Sequence, residues 1–274
     1  MSLKNLVKNA YYKDKNGILL LGDCINWMRE MPDECIDLTV TSPPYANLRD
    51  YNGYGFNFEN IAKELYRITK TGGVVVWIVG DKVEKGSETL APFEQSLFFK
   101  KEVGLLQHDT MIYKKNAFPF PERNRYAQVF EYMFVLSKRK PKTAIIKKVP
   151  TKEHNRIKNK TSCYRTKSGE TVPMKYETGK NTRNKENIWE YEVGYMKTTK
   201  DKFAYKHPAT FPEKLAEDHI LSWSNEVDIV FDPMVGAGTT CKMAKLNNRK
   251  FIGIDVSEEY LRDICIPRLK NLNI

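Results

Sequence analysis

Two short segments carry the residue types that could do chemistry. The first is Thr41-Ser42-Pro43-Pro44-Tyr45, directly after the apolar run Ile36-Asp37-Leu38-Thr39-Val40. Consecutive prolines fix φ and remove two backbone N–H donors. A strand ending here becomes a rigid corner whose carbonyls are left to accept hydrogen bonds. Ser42 adds a hydroxyl, and Tyr45 a ring able to stack on a planar group. The second segment is Phe231-Asp232-Pro233-Met234-Val235-Gly236-Ala237-Gly238-Thr239-Thr240, again after an apolar run. Gly236 and Gly238 let backbone N–H groups approach a ligand closely, because no Cβ intervenes.

A diproline corner suits an exocyclic aromatic amine. Such a nitrogen is a poor nucleophile because its lone pair is delocalised into the ring. Hydrogen bonds from its two protons to the Pro43 carbonyl and the Ser42 oxygen would pull it toward tetrahedral geometry. Fixed acceptors then stabilise the positive charge that builds as a methyl group arrives from a sulfonium. Holding the two reactants in line supplies much of the rest. No covalent enzyme nucleophile is needed. A polyproline ligand of WW modules would require a residue between proline and tyrosine, which is missing here.

The glycine turn admits three readings. A P-loop needs Lys after the last glycine, where Thr239 stands. The dinucleotide fingerprint of a nicotinamide-dependent oxidoreductase needs a third glycine, where Cys241 stands. A nucleoside site without a pyrophosphate needs only two. Asp255, ending the next apolar run, stands where a carboxylate grips ribose hydroxyls, or it caps the following helix together with Ser257. Asp232 would orient the turn near a cofactor's cationic end. Asp23 either accepts from an adenine amine or is a plain turn residue.

These residues have to be held by the elements around them. Apolar strand candidates (18–21, 36–40, 74–79, 110–113, 129–137, 227–231, 251–254) alternate with helix candidates (58–69, 93–102, 212–223, 239–246, 258–269). That alternation predicts a mostly parallel sheet flanked by helices, with Gly72-Gly73 closing the first of these helices. In such sheets ligands collect beyond the carboxyl ends of the strands. Two motifs about 190 residues apart can therefore face one site.

At 274 residues the chain suits one large α/β domain with an insertion. No apolar run approaches the roughly 20 residues that span a bilayer, and residues 1–5 lack the apolar core of a signal peptide. A cytoplasmic protein without a membrane partner is expected. The five cysteines are scattered, which argues for reduced packing thiols rather than a disulfide framework or a metal site. The net charge of +11 is uneven: residues 138–187 hold 16 Lys and Arg against 4 Asp and Glu. A basic block on a near-neutral body is the footprint of a phosphate-backbone contact, and a solvated linker is the alternative. Tyr164, Tyr176 and Trp189, in or just after it, favour folding, on DNA or as a small domain.

With these motifs in this order, the sequence resembles DNA amino-methyltransferases that use S-adenosylmethionine, in the permuted (beta) group whose catalytic motif precedes the cofactor motif. The resemblance covers about 17–137 and 207–269. It implies an α/β class I methyltransferase fold: a Rossmann-like, mostly parallel seven-stranded sheet with helices on both faces. Its parts would be a catalytic half at 1–137, a basic target-recognition insertion at 138–190 and a cofactor-binding half at 191–274. Ser-Pro-Pro-Tyr resembles the cytosine-N4 members, whereas adenine-N6 members more often carry Asp or Asn before the prolines. The function implied is site-specific N4 methylation of cytosine, with adenine N6 as the alternative.

By the same resemblance Ser42, Pro43, Pro44 and Tyr45 hold the target base. Asp23, Asp232, Pro233, Gly236, Gly238, Thr239 and Asp255 surround S-adenosylmethionine. Thr210 and Phe211, within residues 207–215, lie near its methionine moiety. Met234 departs from the family's usual Phe, and both are apolar. The target amine is inaccessible in a duplex, so the base must be flipped out of double-stranded DNA. The loop 46–57 with Arg49, and the loop 116–125 with Phe118, Arg123 and Arg125, suit that task. Arg156, Arg165 and Arg183 of the basic block are candidates for reading sequence. A cognate restriction endonuclease acting separately is the implied protein partner.

Overall fold

The computed structural model describes residues 3–44, 56–116, 124–151, 161–175 and 181–271. Alternation along one strand explains its layering. In β4 (Thr69–Val79) Val74, Val76 and Ile78 enter one apolar core, while Val75, Trp77 and Val79 enter the other. A strand buried on both faces needs helices on both faces.

The main sheet has nine strands, ordered β1 (Tyr12–Lys13), β2 (Gly17–Leu21), β15 (Lys250–Asp255), β14 (Ile229–Asp232), β3 (Ile36–Thr41), β4, β8 (Phe130–Ser137), β7 (Leu106–Lys115), β13 (Ile188–Tyr191). The five strands from β2 to β4 in this order run parallel, and β8 is antiparallel to both its neighbours. The seven expected strands are thus extended by one short strand at each edge. A hairpin of β5 (Val83–Glu84) and β6 (Ser87–Glu88) follows β4.

One face is covered by α1 (Leu3–Lys8), α2 (Cys24–Glu30) and α3 (Phe58–Ile68). The other is covered by α5 (Glu213–Trp223), α6 (Thr239–Leu246) and the C-terminal segment. That segment runs as the one continuous helix expected, with a π turn at Leu261–Cys265 between α7 (Glu258–Tyr260) and α8 (Ile266–Lys270). Similarly, α4 (Ala91–Phe98) runs into a π turn at Phe99–Val103.

Two expectations need correcting. Gly72-Gly73 does not stop α3, which ends at Ile68; both glycines lie inside β4. The basic block also has other limits. The chain divides into Met1–Ile145 with Asn187–Ile274, and a second compact unit, Ile146–Glu186. Residues 138–145 stay with the main unit through bonds such as Lys142 N–H to the Gly72 carbonyl. Trp189 is buried in the main core on β13. The second unit pairs β9 (Lys148–Pro150) with β12 (Thr182–Asn184), and β10 (Thr161–Arg165) with β11 (Thr171–Lys175).

Among the described residues no helix is long and apolar enough to cross a membrane. Cys24, Cys35, Cys241 and Cys265 are buried, and Cys163 is exposed.

Candidate active site

Val230 and Phe231 of β14 pair in parallel with Leu38 and Thr39 of β3, so the two motif-bearing strand ends are neighbours. From them the chain departs toward opposite faces, through α3 on one side and α6 on the other. The crevice between such strands is where α/β sheets take ligands.

Two bonds fasten the neighbours together. Thr41 Oγ1 donates to Asp232 Oδ1 at 2.8 Å, and Thr240 Oγ1 donates to the Val40 carbonyl at 2.9 Å. Asp232 Oδ1 also accepts the Met234 N–H at 3.1 Å. Burial pushes the Asp232 carboxyl up to about 6; the Thr41 and Met234 bonds oppose that shift and the Asp255 charge adds to it.

A cleft of about 890 Å³ opens over these strand ends, within the range of small-molecule sites. Ser42, Pro43 and Pro44 form one side; Pro233, Met234, Val235, Gly236, Ala237 and Thr239 form another. Thr210 and Phe211 line it with His207, and Asp23 and Asp255 line it at the ends of β2 and β15. Asp232 and Gly238 stand behind the lining. Gly238 starts α6 at φ +80°, where an added Cβ would meet Cys265 Sγ at 2.6 Å. Its task is to let the turn form.

Asp255 is held by the turn it faces. Oδ2 accepts the Gly236 N–H at 2.7 Å and Oδ1 the Ser257 N–H at 2.8 Å, while burial raises its pKa. Capping of α7 itself falls to Ser257, whose hydroxyl accepts the Tyr260 N–H. Asp23 caps α2 by accepting the Asn26 N–H, on the exposed rim of the cleft.

Several lining residues were not anticipated. His207 packs against Gly236 so closely that a Cβ there would come within 2.7 Å of Nε2. Its Nδ1 accepts the Ala209 N–H, and its ring lies edge-on to Tyr260 at 4.6 Å. The His-Pro pair opening residues 207–215 was the available signal. On the far wall Lys115 and Glu131 form an ion pair of 2.5 Å, for which the sequence held no signal.

Tyr45, Arg49, Phe118, Arg123 and Arg156 lie outside the described residues. Arg125 donates to the Gly86 carbonyl in the β5–β6 turn. Arg165 is exposed on β10 of the second unit, and Arg183 there pairs with Glu186.

The residues present fit a nucleoside with a cationic tail. The glycine turn and the Asp255 and Asp23 carboxylates line one space, and the place of a Cβ on Gly236 is taken by the His207 ring.

Comparison with known proteins agrees. The profile of the DNA methylase family (N6 and N4 methylases) matches residues 36–265. Orphan methyltransferase M.BamHII of Bacillus amyloliquefaciens is 58% identical over 247 residues, covering 89% of this chain and 92% of that one. Type II methyltransferase M.BglII of Bacillus subtilis is 26% identical, covering 94% of this chain and 71% of that one. Among solved structures, the PvuII DNA methyltransferase (cytosine-N4-specific) superposes with a TM-score of 0.71 at 21% identity, covering 97% and 90% of the two chains. The Thermus thermophilus protein TTHA0409, complexed with S-adenosyl-L-methionine, gives 0.62 at 20% identity, covering 93% and 94%.

Proposed function

The chain belongs to the DNA methylase family of S-adenosylmethionine-dependent amino-methyltransferases, and on that premise we propose that it methylates N4 of a cytosine flipped out of double-stranded DNA. The observation that carries the proposal is the placement of Ser42, Pro43 and Pro44 in one cleft with the glycine turn and Asp255. Ser42-Pro43-Pro44-Tyr45, which resembles the motif of cytosine-N4 members, supports cytosine over adenine. Relatives carry both orphan and type II names, so the partner proposed here is the DNA itself.

In this reading Asp255 accepts from the ribose hydroxyls, Asp23 from the adenine amine, and the wall with Thr210 and Phe211 flanks the methionine moiety. The turn formed by Pro233, Gly236, Gly238 and Thr239 is held to its shape by Asp232. S-adenosylmethionine, when bound, supplies an electrophilic methyl group. The Pro43 carbonyl and the Ser42 oxygen accept hydrogen bonds from the two protons of the target amine and stabilise positive charge on its nitrogen. Pro44 keeps the corner stiff, and Tyr45 stacks on the extruded base. The Ile146–Glu186 unit carries target recognition, with Arg156 and Arg165 contacting DNA, while Arg49, Phe118, Arg123 and Arg125 serve the flipped base.

Weighing the nucleosides of DNA methylated in vitro tests this. N4-methyldeoxycytidine is expected; N6-methyldeoxyadenosine alone would transfer the same machinery to adenine.

A further inference from the structure

We propose that Arg268 is a positioning residue for the cofactor. With Asp201, Glu213 and Lys242 it forms an ion lock that sets the separation of the two cleft walls before a ligand arrives. The inference rests on the reading above, in which S-adenosylmethionine touches both the glycine turn and the wall at 207–211.

Arg268 lies on α8 with its side chain 0% exposed. Its Nη1 donates to the Ala237 carbonyl at 2.5 Å and to Thr239 Oγ1 at 3.1 Å, both on the glycine turn. Its Nε donates to Asp201 Oδ2 at 2.8 Å and its Nη2 to Glu213 Oε1 at 2.5 Å. Lys242, on the helix that follows the turn, donates to the same two carboxylate oxygens, each at 2.8 Å. Asp201 precedes the 3-10 turn Lys202–Lys206 that leads into His207, and Glu213 is the first residue of α5 after Phe211-Pro212. The lock therefore grips both ends of one wall and fastens them to the other.

Stability alone does not account for such a group. Burying two cations against two half-buried carboxylates is costly, and well-packed apolar residues often serve as well. What the planar fork of Arg adds is direction: it aims fixed donors at Ala237 and Thr239 on the glycine turn, at Thr199 and Asp201, and at Glu213 on α5. The walls meet where His207 packs on Gly236, so a small shift of either changes the space beside it. A cleft held at its working width spares the ligand the cost of ordering it.

The test is calorimetric titration with two probes, S-adenosylmethionine and adenosine. Adenosine needs only the Asp255 side of the cleft, whereas S-adenosylmethionine needs both walls. Arg268→Lys keeps the charge and loses the fork. The double variant Glu213→Gln/Lys242→Met keeps the lock's net charge and leaves Arg268–Asp201 as its one remaining ion pair. Each, shown folded by circular dichroism, is expected to bind S-adenosylmethionine about tenfold more weakly while adenosine binding stays within about twofold. Equal weakening of both probes, or no weakening, would overturn the proposal. Where either variant does not fold, Lys242→Met leaves Arg268 paired with both carboxylates and should show the same split at about threefold; absence of a split there overturns it too. Failure of the wild-type protein to bind S-adenosylmethionine would instead sink the methyltransferase reading.

Discussion

Thr41 and Asp232 stand 191 positions apart in the chain, yet the Thr41 hydroxyl donates to the Asp232 carboxylate at 2.8 Å between adjacent strands. The bond joins the last residue of β3 to the last residue of β14, and so fixes the diproline corner beside the glycine turn. Thr41→Val keeps the shape and removes the donor, leaving a buried carboxylate short of a partner. A loss of about 1–3 kcal/mol is expected, seen as a lower urea midpoint at unchanged slope. An unchanged midpoint would show that the bond contributes nothing.

The same carboxylate gives the fold a pH dependence. Burial raises Asp232 from 3.8 to about 6, so the folded state holds this proton more tightly than the unfolded chain. Its contribution is fully present below about pH 4 and is lost as pH rises through 6, at most about 3 kcal/mol. Asp255, also raised by burial, acts with the same sign. Asp232→Asn should therefore gain melting temperature relative to the wild type as pH rises from 4 to 6. A slope equal to that of the wild type would assign the effect elsewhere.

Asp255→Ala removes the acceptor that orients the Gly236 N–H and, in the proposed site, the ribose partner. S-adenosylmethionine affinity should fall about 10- to 100-fold, as for the loss of bonds to a charged group. Intact affinity would take Asp255 out of the ribose role.

Tyr45 lies outside the described residues, and its proposed role rests on its place after the two prolines. Stacking on an extruded base is worth about 1–3 kcal/mol, so Tyr45→Ala should lower kcat/KM for DNA about 5- to 100-fold while cofactor affinity stays near normal. Unchanged turnover would refute the role.

Arg165 is exposed on β10 of the basic unit. If it contacts a phosphate, Arg165→Ala should reduce the slope of log affinity for DNA against log salt by about 1. An unchanged slope would remove it from the interface.

The sheet and both motifs were legible because the diproline and the glycine turn each close an apolar run, and because a strand buried on both faces reads as a continuous apolar run. Gly72-Gly73 misled because a glycine pair after an amphipathic run reads as a helix stop, although α3 ends at Ile68 and the pair lies inside β4. Trp189 follows a basic stretch, and nothing in the sequence says that β13 returns to the sheet and buries it. Arg268 was silent for a different reason. A basic residue in the last turn of an amphipathic helix looks solvated, and its partners Asp201 and Glu213 are 67 and 55 positions away. Asp232 and Gly238 were placed in the right turn, but their position behind the lining depends on side-chain packing that spacing does not encode.

The most direct test is a single-turnover partition experiment. Protein loaded with methyl-labelled S-adenosylmethionine is mixed with duplex DNA and a large excess of unlabelled cofactor, and the digested nucleosides are weighed. One shared cleft predicts that the pre-bound label appears on N4 of deoxycytidine in the first turnover. Label chased into solution with no labelled nucleoside formed, or found on adenine alone, would contradict it.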